Sequence, residues 1–247
     1  MDAIIIAGGT GSRVRSITKD EYPKILIPVN GKAFIEYLLE TLYSMGVRHI
    51  TFAAGFKWDV LAGYMKRRDD INTRYLDWTL CYEWEPKDTG GAILNVLSSR
   101  SARPHSDPFL VLNGDTLIFP EKGVDCYEEL YYTEPQWGKP ACAMFTCHTH
   151  HNGQYDTLLI DYEDWVTKIE PGRRETLTSS FVSCGWYFLR QEFFKNYPKV
   201  EKLSFEKDML PAYLEEAQVI KPIIIDEKQF IEIGTPEALV AAQKRLS

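Results

Sequence analysis

Asp2-Ala-Ile-Ile-Ile-Ala-Gly8-Gly9-Thr10-Gly11-Ser12-Arg13 decides how this chain is read: a short apolar run passes straight into a turn with three glycines in four residues. An apolar run without alternation belongs to a strand covered on both faces, as in a parallel sheet. Glycines carry no Cβ, so a turn made of them lets backbone N–H groups approach an anion. In open α/β sheets such a turn, at the carboxyl end of a strand, is where ligands bind. Two familiar phosphate loops do not fit. A dinucleotide fingerprint starting at Gly9 needs glycine or alanine where the chain has Val14, and a Walker A loop from Gly8 needs Gly-Lys-Ser/Thr where it has Arg13-Val14-Arg15. Fixed positive charge nevertheless follows the glycines at Arg13, Arg15 and Pro23-Lys24, which suits a polyphosphate.

Outward from the loop, β-rich runs alternate with amphipathic stretches: Phe34–Met45, His49–Ala53, Trp58–Met65, Leu80–Trp84, Ala92–Leu97 and Phe109–Leu112. Phe34, Tyr37, Leu38, Thr41, Leu42 and Met45 fall on one helical face, with Glu36 and Glu40 expected in water. The pattern predicts a mostly parallel sheet. After about residue 140 it changes to Ala141–Cys147, Thr157–Asp161, Val166–Ile169 and Phe181–Leu189, which read as more antiparallel strands. Helices return over Phe205–Glu216 and Ala238–Leu246, the second entered through Thr235-Pro236 as N-cap and first-turn proline. No linker composition and no internal repeat interrupts the chain, so one domain over 1–247 is expected.

Composition narrows the class. The 247 residues are 45% hydrophobic and 26% charged, ordinary for a globular protein rather than a disordered one. A net charge of −7 repels polyanions, so nucleic acid is not an expected partner and any phosphate site is local. No apolar run approaches the roughly 20 residues that cross a bilayer, and the N-terminus has neither the basic nor the apolar region of a secretory signal. No membrane partner and a cytoplasmic location follow as expectations. The five cysteines, Cys81, Cys126, Cys142, Cys147 and Cys184, are odd in number without a C-x-x-C pair, and read as thiols. His148-Thr-His150-His151 precedes Asn152-Gly153, a hairpin dipeptide, and reads as loop-tip histidines rather than a zinc site.

Gly8-Gly-Thr-Gly-Ser-Arg13, Tyr22-Pro-Lys24, Ile27-Pro-Val29, Gly31-Lys32 and Phe34-Ile-Glu-Tyr-Leu38 together resemble the N-terminal signature of sugar-1-phosphate nucleotidylyltransferases. Asp88-Thr-Gly-Gly-Ala92, Leu112-Asn-Gly-Asp-Thr116, Gly185-Trp-Tyr187 and Phe230-Ile-Glu-Ile-Gly-Thr-Pro236 look like the later blocks in the right order. Within the family the chain most resembles the guanylyltransferases that act on D-glycero-α-D-manno-heptose 1-phosphate. The resemblance implies a Rossmann-like three-layer α/β sandwich: a mainly parallel central sheet with a nucleotide-binding half over 1–140, and an antiparallel sugar-binding elaboration within 141–247. It implies a Mg²⁺-dependent reaction in which a sugar 1-phosphate attacks the α-phosphorus of an NTP, giving NDP-sugar and pyrophosphate. The nucleophile is already anionic, so positioning and charge neutralisation supply the catalysis and no general base is needed.

The same resemblance implies site residues. Arg13 matches the arginine that grips the triphosphate, Lys24 the lysine between the α-phosphate and the incoming phosphate, and Asp115 a metal ligand. Glu232 stands where relatives carry a second metal-binding aspartate. Ala7, Gly8, Gly9, Gly11, Ser12, Arg13, Glu83, Asp88, Thr89 and Gly90 fall on the nucleotide positions, and Lys168, Gly185 and Glu206 on the sugar positions. Glu83 matches the position where uridylyl- and thymidylyltransferases present glutamine to the base. A carboxylate is acceptor-only, and guanine offers it two adjacent donors where uracil or thymine offers one donor flanked by acceptors, so GTP is favoured. CTP, with a single amino donor, is the alternative, as are UTP or dTTP with another acceptor. Two departures stand out: Lys87-Asp88 replaces Leu-Gly, and Lys168-Ile-Glu-Pro-Gly-Arg-Arg174 replaces the block whose lysine holds the sugar phosphate, leaving Lys168, Arg173 and Arg174 as candidates. Aspartate tolerates a left-handed backbone, so the turn at Asp88 can persist. A homologue that binds a nucleotide sugar without turnover is the reading from another class, and a homodimer is what the resemblance suggests for assembly.

Overall fold

The computed structural model describes residues 1–72, 76–119, 140–151, 155–172, 178–197, 200, 202–216 and 218–246. The opening apolar run is β1 (Asp2–Ala7), and the glycine turn leads into the short helix α1 (Arg15–Thr18). A small hairpin of β2 (Pro28–Val29) and β3 (Lys32–Ala33) precedes α2 (Phe34–Ser44). Then β4 (His49–Ala54), α3 (Trp58–Asn72), β5 (Asp77–Tyr82), α4 (Asp88–Ser98) and β6 (Phe109–Asn113) complete the expected alternation. β7 (Thr116–Ile118) follows a two-residue turn at Gly114-Asp115.

β1 lies between β4 and β6, and β4 pairs β5, all in parallel register. Ile4 and Ile5 are both fully buried but on opposite sides, as a centrally placed parallel strand requires. Ile5 packs with Leu38 of α2 and Leu61 of α3, whereas Ile4 packs with Ile93 of α4. Helices therefore cover both faces, and the molecule is the Rossmann-like three-layer sandwich with a mainly parallel sheet. The apolar face of α2 is wider than a single stripe: Ile35 and Leu39 are buried with Phe34, Leu38 and Leu42. Glu36 is accordingly not in water, because it accepts from Tyr64 Oη at 2.9 Å and pairs with Arg68 Nε at 2.8 Å on α3. Glu40, paired with Lys32, is the outward carboxylate.

The later strands extend this same sheet. β8 (Cys142–His151), β9 (Thr157–Ile160), β10 (Val166–Glu170) and β11 (Thr178–Leu189) pair antiparallel among themselves, as the sequence pattern predicts. β11 joins the parallel core by lying antiparallel to β6, with Trp186 opposite Leu112. A wide helical turn, Phe205–Met209, runs into α5 (Leu210–Glu215); β12 (Lys221–Ile225) then adds parallel to β8, a pairing the local pattern does not announce. β13 (Phe230–Glu232) pairs β7 antiparallel, setting Glu232 opposite Thr116. α6 (Pro236–Arg245) closes the chain, with Thr235 Oγ1 accepting from Ala238 N at 3.1 Å as the expected cap.

One reading changes in detail. The histidine run lies within β8 rather than at a loop tip, with His148 Cα opposite Phe181; the dipeptide Asn152-Gly153 lies outside the described residues. Cys81, Cys142, Cys147 and Cys184 are free thiols, while Cys126 lies outside the described residues. Trp186 is fully buried, its Nε1 donating to Thr116 O at 3.1 Å, so it belongs to the core. Among the described residues no helix is long and apolar enough to cross a membrane.

Candidate active site

At the carboxyl ends of β1 and β6 lies a cleft with two contiguous lobes. The first, of about 460 Å³, is lined by Ala7, Gly8, Gly9 and Gly11, and faced by Lys24, Glu83, Lys87, Asp88 and Thr89. Gly8 and Gly11 are required for different reasons, whereas Gly9 borders open space. A Cβ on Gly8 would stand 2.9 Å from Glu83 Oε2 and 3.4 Å from Gly55 N; Gly9 has nothing within 4 Å; Gly11 has φ +63°, the left-handed region. Ser12 is exposed and lines neither lobe.

Glu83 follows β5 directly, its N–H continuing the ladder to Ala54 O at 2.9 Å, and it is only 7% exposed. Its Oε1 has no hydrogen-bond partner among the described residues. Burial pushes its carboxyl up to about 7, with Asp88 adding to the rise and Lys87 opposing it. A buried acceptor without a donor, opening on a cleft, suits a ligand that brings N–H groups. Asp88 has φ +58°, so the left-handed turn persists with aspartate in it, and its side chain is exposed at the lobe's edge.

Thr89 lines the lobe, but its hydroxyl is engaged: it donates to Glu206 Oε2 at 2.5 Å and accepts from Phe205 N at 2.8 Å. Gly90 turns away from the cleft. A Cβ there would lie 2.6 Å from Met209 Sδ and 2.9 Å from Leu203 O, so Gly90 is what lets α4 seat against the wide turn. Gly90→Ala should lower stability by about 1–3 kcal/mol through overpacking against backbone, read as a lower urea midpoint at unchanged slope.

The second lobe, of about 840 Å³, is lined by Arg13, Tyr155, Asp156, Gly185, Glu206 and Glu232 among others. Asn113, Asp115, Ser204, Glu206 and Lys207 border both lobes. Asp115 sits in the turn after β6, and its carbonyl accepts from Ile233 N at 2.9 Å, which ties it to the end of β13. Its carboxylate pairs with Lys24 Nζ, both side chains being largely covered. Arg13 reaches the same place from the loop. A Cβ on Gly234 would meet Arg13 at 3.3 Å and Asp115 Oδ2 at 3.4 Å, so a side chain there would crowd the two together. Burial raises the Glu232 carboxyl above its ordinary value; Tyr155 lowers it by hydrogen bonding, Asp115 raises it, and Arg13 and Lys24 draw it down. Two carboxylates near enough to feel each other, one in the turn before β7 and one on its partner strand β13, form an oxygen donor set that fits a hard divalent cation.

In the second lobe, Gly185 lies where β11 slips its register against β8, with φ +72°; a Cβ there would be 2.7 Å from Asn113 Nδ2. Glu206 is held from two sides, by Thr89 and by Asn113 Nδ2 at 3.3 Å. Lys168 is not brought to the cleft. Its ammonium points outward and pairs with Glu170 at 2.7 Å, and its neighbour Ile169 lines the second lobe instead. The cause is a register shift in β10 between Val166 and Lys168, which sets the alternation so that 168 faces out. Arg173 and Arg174 lie outside the described residues. Sequence reasoning missed Asn113, Tyr155, Asp156, Ser204 and Lys207; Lys207 adjoins Glu206, and Asn113 stands two residues before Asp115, which is the only local signal they offer.

The nucleotidyl transferase family matches the chain over residues 2–247. A D-glycero-alpha-D-manno-heptose 1-phosphate guanylyltransferase of Campylobacter jejuni is 28% identical over 237 residues, covering 96% of this chain and 96% of that protein. The crystal structure of HddC from Yersinia pseudotuberculosis is similar with a TM-score of 0.78 at 27% identity, over 100% of this chain and 99% of that one. A structure of HddC complexed with GMP-PN gives a TM-score of 0.76 at 27% identity, with the same coverage of 100% and 99%.

Proposed function

This chain belongs to the nucleotidyl transferase family, and we propose that it transfers the guanylyl group of GTP to a sugar 1-phosphate, releasing pyrophosphate and a GDP-sugar. The observation that carries the reading is the pair of lobes meeting at Asp115, one walled by the unpartnered Glu83 carboxylate and the other by hydroxyl-binding polar groups. The named relative of Campylobacter jejuni supports heptose 1-phosphate as the first acceptor to test.

In the reaction, an acceptor phosphate oxygen forms a bond to the α-phosphorus, and the bond from that phosphorus to the β-bridging oxygen breaks, its electron pair leaving with pyrophosphate. The glycine turn presents backbone to the triphosphate, and Glu83 accepts from the guanine edge. Lys24 lies beside Asp115, where charge accumulates between the two phosphates. Arg13, which meets Asp115 beside Gly234, is placed to draw charge toward the leaving group. Mg²⁺, held by Asp115 and Glu232, would neutralise phosphate charge and help align the two anions. Gly185 and Glu206 receive the sugar. We further expect a homodimer working in the cytoplasm, where nucleoside triphosphates are supplied.

A panel of GTP, CTP, UTP and dTTP against several sugar 1-phosphates, scored by pyrophosphate release, tests this. GTP with a heptose or hexose 1-phosphate should give the fastest release. Turnover with CTP alone would overturn the base assignment, and nucleotide binding without any turnover would favour a silent homologue.

A further inference from the structure

The seam between the lobes is bordered by five residues that face both: Asn113, Asp115, Ser204, Glu206 and Lys207. Two are carboxylates, and Lys207 is the one cation. The second lobe alone presents Asp115, Asp156, Glu206 and Glu232 against Arg13 and Lys207 among the described residues. A doubly charged phosphate monoester entering it meets repulsion unless a cation stands where the phosphate must go. For reaction that place is the seam, because the phosphate has to face the donor's α-phosphorus in the first lobe. Lys24, nearby, is already engaged by Asp115.

Lys207 is built into position rather than merely nearby. Its N–H donates to Ser204 Oγ at 3.1 Å, and the N–H groups of Asp208 and Met209 both reach Ser204 O at 3.1 Å, which widens the turn. Wide turns of this kind recur at functional sites. Glu206, one residue earlier, is pinned by Thr89 and Asn113, so the turn sets an anchored carboxylate and the exposed Lys207 side by side on the lining of one cleft. The Lys207 ammonium makes no ion pair among the described residues.

We propose that Lys207 binds the phosphate of the acceptor at the seam, in the role that the family resemblance gives Lys168. This rests on the function proposed above. The test is steady-state pyrophosphate release by the full chain carrying Lys207→Met, Lys207→Arg or the double change Arg173→Met/Arg174→Met. Lys207→Met should raise KM for the sugar 1-phosphate about 10- to 100-fold, the range for losing a hydrogen bond to a charged group, with KM for GTP within about twofold. Lys207→Arg should recover most of that loss, which a merely structural role would not produce. Unchanged acceptor KM, an equal rise in the KM for GTP, or an acceptor effect confined to the arginine double variant would each overturn the assignment. A wild-type chain that releases no pyrophosphate with any pair of substrates would sink the function itself, whereas an active wild type with an indifferent Lys207→Met sinks only the assignment of Lys207.

Discussion

Replacing Asp115 by asparagine should lower kcat for nucleotidyl transfer by about 10³, with KM for GTP changed by no more than about fivefold. The substitution keeps shape and leaves the main-chain bond from Ile233 N to Asp115 O in place, so the tie between the β6 turn and the end of β13 survives. What goes is charge. Lys24 loses the anion that holds it, and Glu232 is left as a single carboxylate, too weak a donor set for a hard cation that has to be fixed between two polyanions. Both effects act where charge develops, hence on kcat more than on binding. Lys24→Met alone should also be severe, and the double change should cost about as much as the worse single one, because the two side chains act as a unit. Steady-state kinetics at saturating divalent ion would check this. An asparagine variant retaining a tenth of wild-type kcat would remove Asp115 from the centre of the reaction.

What could be read in the sequence, and what could not, follows the range of the interactions. β1 and the glycine turn are local features: Ile4 and Ile5 face opposite cores with no polar partner needed, and the turn residues follow within six positions. Thr235 as a cap and Asp88 as a left-handed residue are equally local. Glu83 was legible through the family resemblance, because it stands at the position where relatives present glutamine to the base. Lys168 was misplaced because alternation in β10 restarts at an irregularity, and no composition of five residues reveals such a shift. Glu36 was misjudged because the second layer of contacts, Tyr64 and Arg68 from α3, depends on how two helices pack. Lys207 was invisible for the same reason: it lines the same cleft as Asp115 only because the wide turn after β11 folds back to the end of β6, and long-range placement of that kind leaves no periodic trace.

Glu83→Gln should reverse the choice of base, reducing the kcat/KM preference for GTP over UTP by about three orders of magnitude. The carboxylate presents two acceptors to the N1–H and N2 amino groups of guanine; the amide presents one acceptor and one donor, which matches the donor and flanking carbonyl of uracil and leaves guanine with an opposed donor. The wild-type preference also depends on pH, because the empty pocket raises the Glu83 carboxyl to about 7. Guanine needs the ionised form, so KM for GTP should fall as pH rises toward 7 and level off above it, whereas the glutamine variant should show no such slope. Stability runs the opposite way. A carboxyl whose pKa is raised by folding from 4.5 to about 7 favours the fold fully below its unfolded value, and that contribution is lost as pH rises through 7. The nucleotide-free variant should therefore melt higher than wild type at pH 8 and close to it at pH 4.5, while the GTP-bound wild type recovers much of the difference by supplying donors to Glu83 Oε1. A glutamine variant that kept the GTP preference would mean that the guanine edge is read elsewhere. A wild-type KM for GTP that stayed flat between pH 6 and 8 would mean that the buried carboxyl does not meet the base at all.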